Sequence, residues 1–282
     1  MNYIEIKAPC KINLGLYVTE KRPDGFHNIH TLFYPVYGLY DFFSFEKKEN
    51  FEFECNDPKL PKDEKNLVIK ALKLLESYSG KKLNVKIICK KNIPAGAGLG
   101  GGSSDAATTL LSLNELFRLN ISYERLLDLA LQLGSDVPFF LKCKPAIGES
   151  RGEKLTHVDL FLEKYFVLVN PGIHISTAEA FKHVTPHPST IEYSELISSP
   201  KFLSVAREKL TNVFEPYAIQ KHPEIKNILN LLYNSGAEFA QMSGSGSTVY
   251  GIFASEPDTQ ALKKQFPSHY LVKIVSPDES YY

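Results

Sequence analysis

Near the start of the chain Ile12, Leu14, Leu16 and Val18 alternate with Lys11, Asn13, Gly15 and Tyr17. This period of two predicts a strand with one apolar face, and it sets Lys11 and Asn13 about 7 Å apart on the other surface, near enough to touch one ligand. Residues 3–7 alternate more weakly ahead of it. Arg22-Pro23-Asp24-Gly25 carries turn chemistry, proline presetting φ and glycine permitting positive φ, and Phe26 and His27 follow directly. Residues 39–45 and 51–55 read as further strands, with the charged cluster 47–50 suiting a hairpin loop between them.

The period then changes. Asn66 precedes Leu67, Val68, Ala71, Leu72 and Leu75 at helical spacing, Gly80 closes that helix, and a strand is predicted over 84–89. After a glycine-rich stretch, Ala107, Leu110, Leu111, Asn114 and Phe117 continue at helical spacing from Ser104. Ser122 as N-cap and Gly134 as C-terminal stop bracket another helix, whose stripe is Leu126, Leu127, Leu129, Ala130 and Leu133. Beyond residue 158 the order is strand 165–169, helices including 223–233, strands 237–242 and 248–253, helix 259–266 and strand 270–275, an order similar to a split β-α-β unit. The proline-bearing stretch 183–200 is expected to be irregular. Two domains follow from this pattern, 1–158 and 159–282.

Composition narrows the partners. Lys plus Arg equals Asp plus Glu at 32 each, so no global field holds a polyanionic backbone, and nucleic acid is excluded as a first expectation. Cys10, Cys55, Cys89 and Cys143 are scattered singly, which fits buried reduced thiols and supplies no metal site. No stretch reaches the ~20 apolar residues of a membrane span, and the start of the sequence lacks a basic region followed by an apolar one. A cytoplasmic protein is expected, with no membrane partner, as a monomer or weak homodimer.

Residues 94–104, Pro-Ala-Gly-Ala-Gly-Leu-Gly-Gly-Gly-Ser-Ser, place five glycines in the seven positions from Gly96 to Gly102. Lacking Cβ atoms, such a backbone approaches a phosphate closely, while the N–H groups of the loop and of the following helix converge on negative charge. Ser103 and Ser104 add hydroxyls for phosphate or for a magnesium shell. A flexible hinge is the rival reading, but flexibility alone does not explain the position between a strand and an apolar helix. No Gly-Lys-Ser or Gly-Lys-Thr follows, so this is not a Walker A loop. Gly96, Gly98 and Gly101 match G-x-G-x-x-G, yet residues 90–94 separate the strand from the loop, against a dinucleotide site. Asp136, flanked by apolar residues just past a helix end, is a candidate base or an ordinary turn aspartate. Ser243-Gly244-Ser245-Gly246-Ser247-Thr248 reads equally well as a hairpin turn and as a set of donors for another loop or an anion.

Three segments together resemble the motifs of the GHMP kinase superfamily, in the expected order: residues 8–14 (Ala-Pro-Cys-Lys-Ile-Asn-Leu), residues 94–104, and residues 242–248 (Met-Ser-Gly-Ser-Gly-Ser-Thr). The resemblance implies an α+β protein of two domains, the first ribosomal-protein-like and the second a ferredoxin-like split β-α-β. It also implies that ATP, accompanied by Mg2+, is bound by Pro94, Gly96, Gly98, Leu99, Gly100, Gly101, Gly102, Ser103 and Ser104, with Asn66 towards the adenine. Residues 11–16, 22–27 and 133–140 further resemble the branch that phosphorylates the 2-hydroxyl of a cytidine-diphosphate-linked methylerythritol. On that resemblance Lys11 and Asp136 are the catalytic pair. Asn13, Phe26, His27, Asp136, Thr177, Gly244 and Ser245 meet the substrate, and the cytosine lies at Phe26 and His27. Phe26 stands where tyrosine is usual in that branch, keeping the ring and losing the hydroxyl. Another GHMP kinase is the rival within enzymes, and a non-catalytic binding protein on the same scaffold is the rival outside them.

Overall fold

The computed structural model describes residues 1–277. In chain order the elements are β1 (Tyr3–Lys21), β2 (His27–Lys47), β3 (Glu52–Cys55), α1 (Leu67–Ser79), β4 (Val85–Lys90), α2 (Gly101–Leu116), α3 (Tyr123–Leu133), α4 (Val137–Lys142), β5 (Ala146–Glu149) and β6 (Lys154–His157). They continue as β7 (Tyr165–Asn170), α5 (Thr177–Lys182), α6 (Tyr193–Ile197), α7 (Phe202–Lys209), α8 (Glu215–Lys221), α9 (Glu224–Asn234), β8 (Phe239–Met242), β9 (Val249–Phe253), α10 (Thr259–Lys264) and β10 (Leu271–Val275). Contacts divide the chain into two compact units. The first comprises Met1–Cys10, Tyr40–Ala95 and Gly100–Cys143, and the second Lys11–Leu39, Gly96–Leu99 and the described residues from Lys144 onward.

In the first unit β4 lies between β2 and β3, antiparallel to β2 (Phe43 opposite Cys89) and parallel to β3 (Phe53 opposite Ile87). The hairpin expected across residues 47–50 therefore does not form. The chain runs from β3 through α1 before returning as β4, and inserting β4 buries Val85, Ile87 and Cys89 on one face. α1 starts where Asn66 accepts the Val68 N–H and stops at Gly80 in the left-handed conformation, as its sequence predicts. α2 packs against α1, α3 and α4 and is buried on nearly every side. It begins at Gly101 with Gly100 as N-cap, so Gly101, Gly102 and Ser103, expected in the loop, form its first turn.

In the second unit β10, β7, β9 and β8 form an antiparallel sheet in that order. Numbered along the chain this is 4-1-3-2, the split β-α-β arrangement. Its core gathers Val167, Val169, Met242, Val249 and Phe253 of the sheet with Ile225, Ile228 and Leu232 of α9, Leu262 of α10, and Leu16 and Val18 of β1. The stretch 183–200 is less irregular than expected, because it contains α6. Tyr193 there is fully buried and donates its hydroxyl to the Leu14 carbonyl. None of the four cysteines forms a disulfide within the described residues; three are buried and Cys55 is half-buried. Among the described residues no helix is long and apolar enough to cross a membrane.

Candidate active site

β1 bears Lys11 and Asn13 on one face, as its alternation predicts, but that face is not solvated. Lys11 is 3% and Asn13 2% exposed. An ammonium in such a place must be compensated. Lys11 Nζ donates to Asn13 Oδ1 at 2.6 Å and lies 5.3 Å above the Phe33 ring. Asn13 Nδ2 donates to Thr31 Oγ1 at 2.9 Å, which in turn donates to the Gly15 carbonyl. Near Lys11 several β1 backbone groups bond side chains, with Tyr250 donating to the Asn13 carbonyl (2.7 Å) and the Gly15 N–H donating to Gln241 Oε1 (2.8 Å).

The middle of the glycine loop is bonded to this strand and to the second small-residue loop. The Lys11 N–H donates to the Leu99 carbonyl and the Thr248 N–H to the Ala97 carbonyl, at 3.0 and 3.1 Å. Ser243 Oγ accepts from the Asn13 N–H and donates to the Gly98 carbonyl at 2.8 Å. Gly98 has φ +79°, and a Cβ there would sit 2.0 Å from the Ser243 carbonyl oxygen. Only glycine permits this approach. Residues 243–248 are thus both things their sequence allowed, the turn between paired β8 and β9 and a brace for another loop. Gly244 opposes Gly98 in that brace, and Ser245 Oγ lies 2.8 Å from Thr177 Oγ1. Segment 173–177 follows the same loops, with His174 filling the space where a Gly96 side chain would go.

Phe26 and His27 are held differently from each other. The His27 ring stacks on Phe181 at 4.8 Å and 18°, and Phe181 meets Phe214 edge to face. Burial, then the Lys21 charge, hold His27 below its usual pKa, which keeps the imidazole neutral at pH 7. The Phe26 ring is largely exposed and carries the Arg151 guanidinium 3.7 Å from its centroid. Sequence reading missed Phe181, whose signal is only one aromatic residue in a short helix near prolines.

In the first unit, Gly102 lies beside Leu67, bringing the start of α2 next to the start of α1. Asn66 uses its side chain as the α1 cap and as donor to the Pro61 carbonyl. Pro94 precedes the loop, and Ser103 and Ser104 sit in the first turn of α2, where buried Ser104 Oγ has no hydrogen-bond partner. Asp136, half-buried, stands at the N-terminus of α4 and makes no side-chain capping bond to it.

A buried charge cluster, which sequence reading missed, fixes the entry to the loop. Asp41 accepts from the Asn92 and Ile93 N–H groups and pairs with Lys91, and Lys91 also reaches Asp105 at 2.6 Å. Burial raises the Asp105 pKa to about 8, the Asp41 charge acts in the same direction, and Lys91 opposes them. The signal was present as a lone acid in each of two apolar runs, Tyr-Asp-Phe-Phe and Ser-Asp-Ala-Ala.

The family model described as GHMP kinases N terminal domain matches residues 66–144, and the one described as GHMP kinases C terminal matches residues 201–271. A 4-diphosphocytidyl-2-C-methyl-D-erythritol kinase of Chloroherpeton thalassium is 38% identical, over 93% of this chain and 95% of that protein. The chain belongs to the GHMP kinase family. Like its relatives, this GHMP kinase is an ATP-dependent enzyme acting on a small molecule. The kinase of the same name from Bacteroides fragilis is 42% identical, over 88% of this chain and 91% of that one. A crystal structure of 4-(cytidine 5'-diphospho)-2C-methyl-D-erythritol kinase superposes with TM-score 0.80 at 32% identity, covering 97% of this chain and 99% of that one. A homoserine kinase from Cytophaga hutchinsonii, at 19% identity and TM-score 0.74, shares the fold.

Proposed function

We propose that this GHMP kinase transfers the γ-phosphoryl group of ATP to the 2-hydroxyl of 4-diphosphocytidyl-2-C-methyl-D-erythritol, giving ADP and the 2-phosphate, a step of non-mevalonate isoprenoid precursor synthesis. The observation that carries the kinase chemistry is the backbone bonding of the glycine loop to the strand bearing buried Lys11 and Asn13. The acceptor is that of relatives matching nearly the whole chain.

In this class of reaction the protein chiefly positions groups and stabilises charge. Asp136 accepts the proton of the attacking hydroxyl. Lys11 offsets the negative charge that develops on the acceptor oxygen, and Asn13, bonded to it, orients both. The loop N–H groups and the start of α2 hold the phosphates, and the N-terminus of α1, capped by Asn66, faces the adenine. His27, Phe181 and Phe26 provide the aromatic and imidazole surfaces for cytosine, while Thr177, Gly244 and Ser245 line the acceptor side. Magnesium enters with ATP, and the unpartnered hydroxyl of Ser104 is a donor of the type that ion accepts. The cytoplasm as compartment, and a monomer or weak homodimer as assembly, belong to the same proposal.

ADP release should be fast with the cytidine-linked methylerythritol and negligible with homoserine or mevalonate; the reverse order defeats the assignment. Asp136→Asn should lower kcat by a factor of about 1000 or more while nucleotide affinity, read by direct titration, changes little.

A further inference from the structure

Segment 211–213 passes beside β1. The Leu16 N–H donates to the Thr211 carbonyl at 2.9 Å, and the Val213 N–H to the Leu16 carbonyl at 3.0 Å. Between those two bonds sits Asn212, 2% exposed. Its Nδ2 donates to the Met242 carbonyl at 2.7 Å and to the Gly244 carbonyl at 2.8 Å, so both residues flanking Ser243 hang from one side chain. Its Oδ1 accepts from the Phe214 N–H at 2.9 Å, which fixes the amide's orientation and leaves both donors for the loop. Glu215 accepts the Met242 N–H from the same segment. Ser243, held on both sides, is the residue that accepts from the Asn13 N–H and donates to the Gly98 carbonyl.

We propose that Asn212 is a positioning residue for phosphoryl transfer: it holds Ser243 so that the phosphate loop at Gly98 and the acceptor strand at Asn13 keep a set spacing. The role rests on the kinase reading above. Asn212 touches neither substrate and acts through Ser243. In-line transfer is sensitive to spacing, and a displacement of about 1 Å can lower turnover by ~100-fold without weakening ground-state binding to match. Apart from glutamine, whose arm is one methylene longer, no side chain offers this amide's two donors and one acceptor in one plane. Aspartate would turn a carboxylate oxygen towards two carbonyls. Serine keeps one donor on a shorter arm.

The test compares Asn212→Asp and the milder Asn212→Ser with Tyr233→Phe. Tyr233 makes two part-buried hydrogen bonds to Ala240, on the strand that leads into the loop but outside it, and serves as a control for stability alone. Both Asn212 variants should lose about 10- to 100-fold in kcat while KM for each substrate stays within about threefold. Amide hydrogen exchange at Lys11 and Thr248, whose N–H groups hold the glycine loop, should accelerate at least about tenfold. Tyr233→Phe should lower the melting temperature and leave turnover and both amides unchanged. The proposal is overturned if Asn212→Ser keeps wild-type kcat and amide protection, or if Tyr233→Phe reproduces the full pattern. A wild-type protein inactive on the cytidine-linked acceptor would defeat the functional assignment instead. The exchange comparison needs no substrate and decides the brace in either case.

Discussion

Lys11, catalytic in the proposed function, is a strand lysine that the fold buries. Its ammonium is out of water, bonded to Asn13 and placed over Phe33, a setting that stability alone does not favour. Replacing a buried charge by an apolar side chain of similar length is often neutral or stabilising. Lys11→Met should therefore melt no lower than the wild type while turnover falls by about 100-fold or more, as thermal denaturation and an ADP-release assay would show. A large drop in melting temperature would make Lys11 structural. The alternation along β1 made the Lys11–Asn13 pair legible in the sequence. Its burial was not, because that depends on Phe33, Thr31 and the loops that arrive from distant positions. Gly98 is similar. In the sequence it is one glycine of a rich stretch, and the reason no other residue fits there is the Ser243 carbonyl, 145 residues away.

Elements follow local rules where their ends are local. Asn66 and Gly80 delimit α1, and Ser122 caps α3, because caps involve neighbours within one turn. Strand pairing is not local, and the expected hairpin at residues 47–50 gave way to a β3–α1–β4 connection. The link from β4 to α2 depends on charges that no periodicity reveals. Lys91 there bridges Asp41 and Asp105, and removing it leaves the buried Asp41 carboxylate without its cation. Lys91→Ala should lower unfolding free energy by about 3–5 kcal/mol in urea titrations. Asp105→Asn should change it by no more than about 1 kcal/mol, since one lysine then faces one carboxylate. Equal losses for the two would show that the cluster acts through packing.

At the scale of the whole molecule, equal numbers of acidic and basic residues leave little net field, so the pH response comes from individual buried groups. Burial raises Glu215 from 4.5 to about 7, against the opposing hydrogen bond from Met242. Between those values the folded chain keeps a proton that the unfolded chain releases. This contribution is therefore complete below pH ~4.5 and is lost as pH rises through ~7, a swing of about 3 kcal/mol. Urea titrations at pH 5 and pH 8 should show the wild type losing more stability than Glu215→Gln over that interval; parallel curves would place the titration elsewhere. The sequence by itself determined the kinds of groups available: a glycine loop opening a helix, a lysine and an asparagine on one strand face, an aspartate after a helix, and the caps that end several elements. These depend on residues within a few positions of one another. Tertiary structure alone decided that β4 separates β2 from β3, that Gly96–Leu99 joins the second unit, that Lys11 is buried, and that Asn212 holds the loop around Ser243. Each of these is settled by which distant backbone and side-chain groups satisfy one another once water is excluded, and no local pattern carries that information.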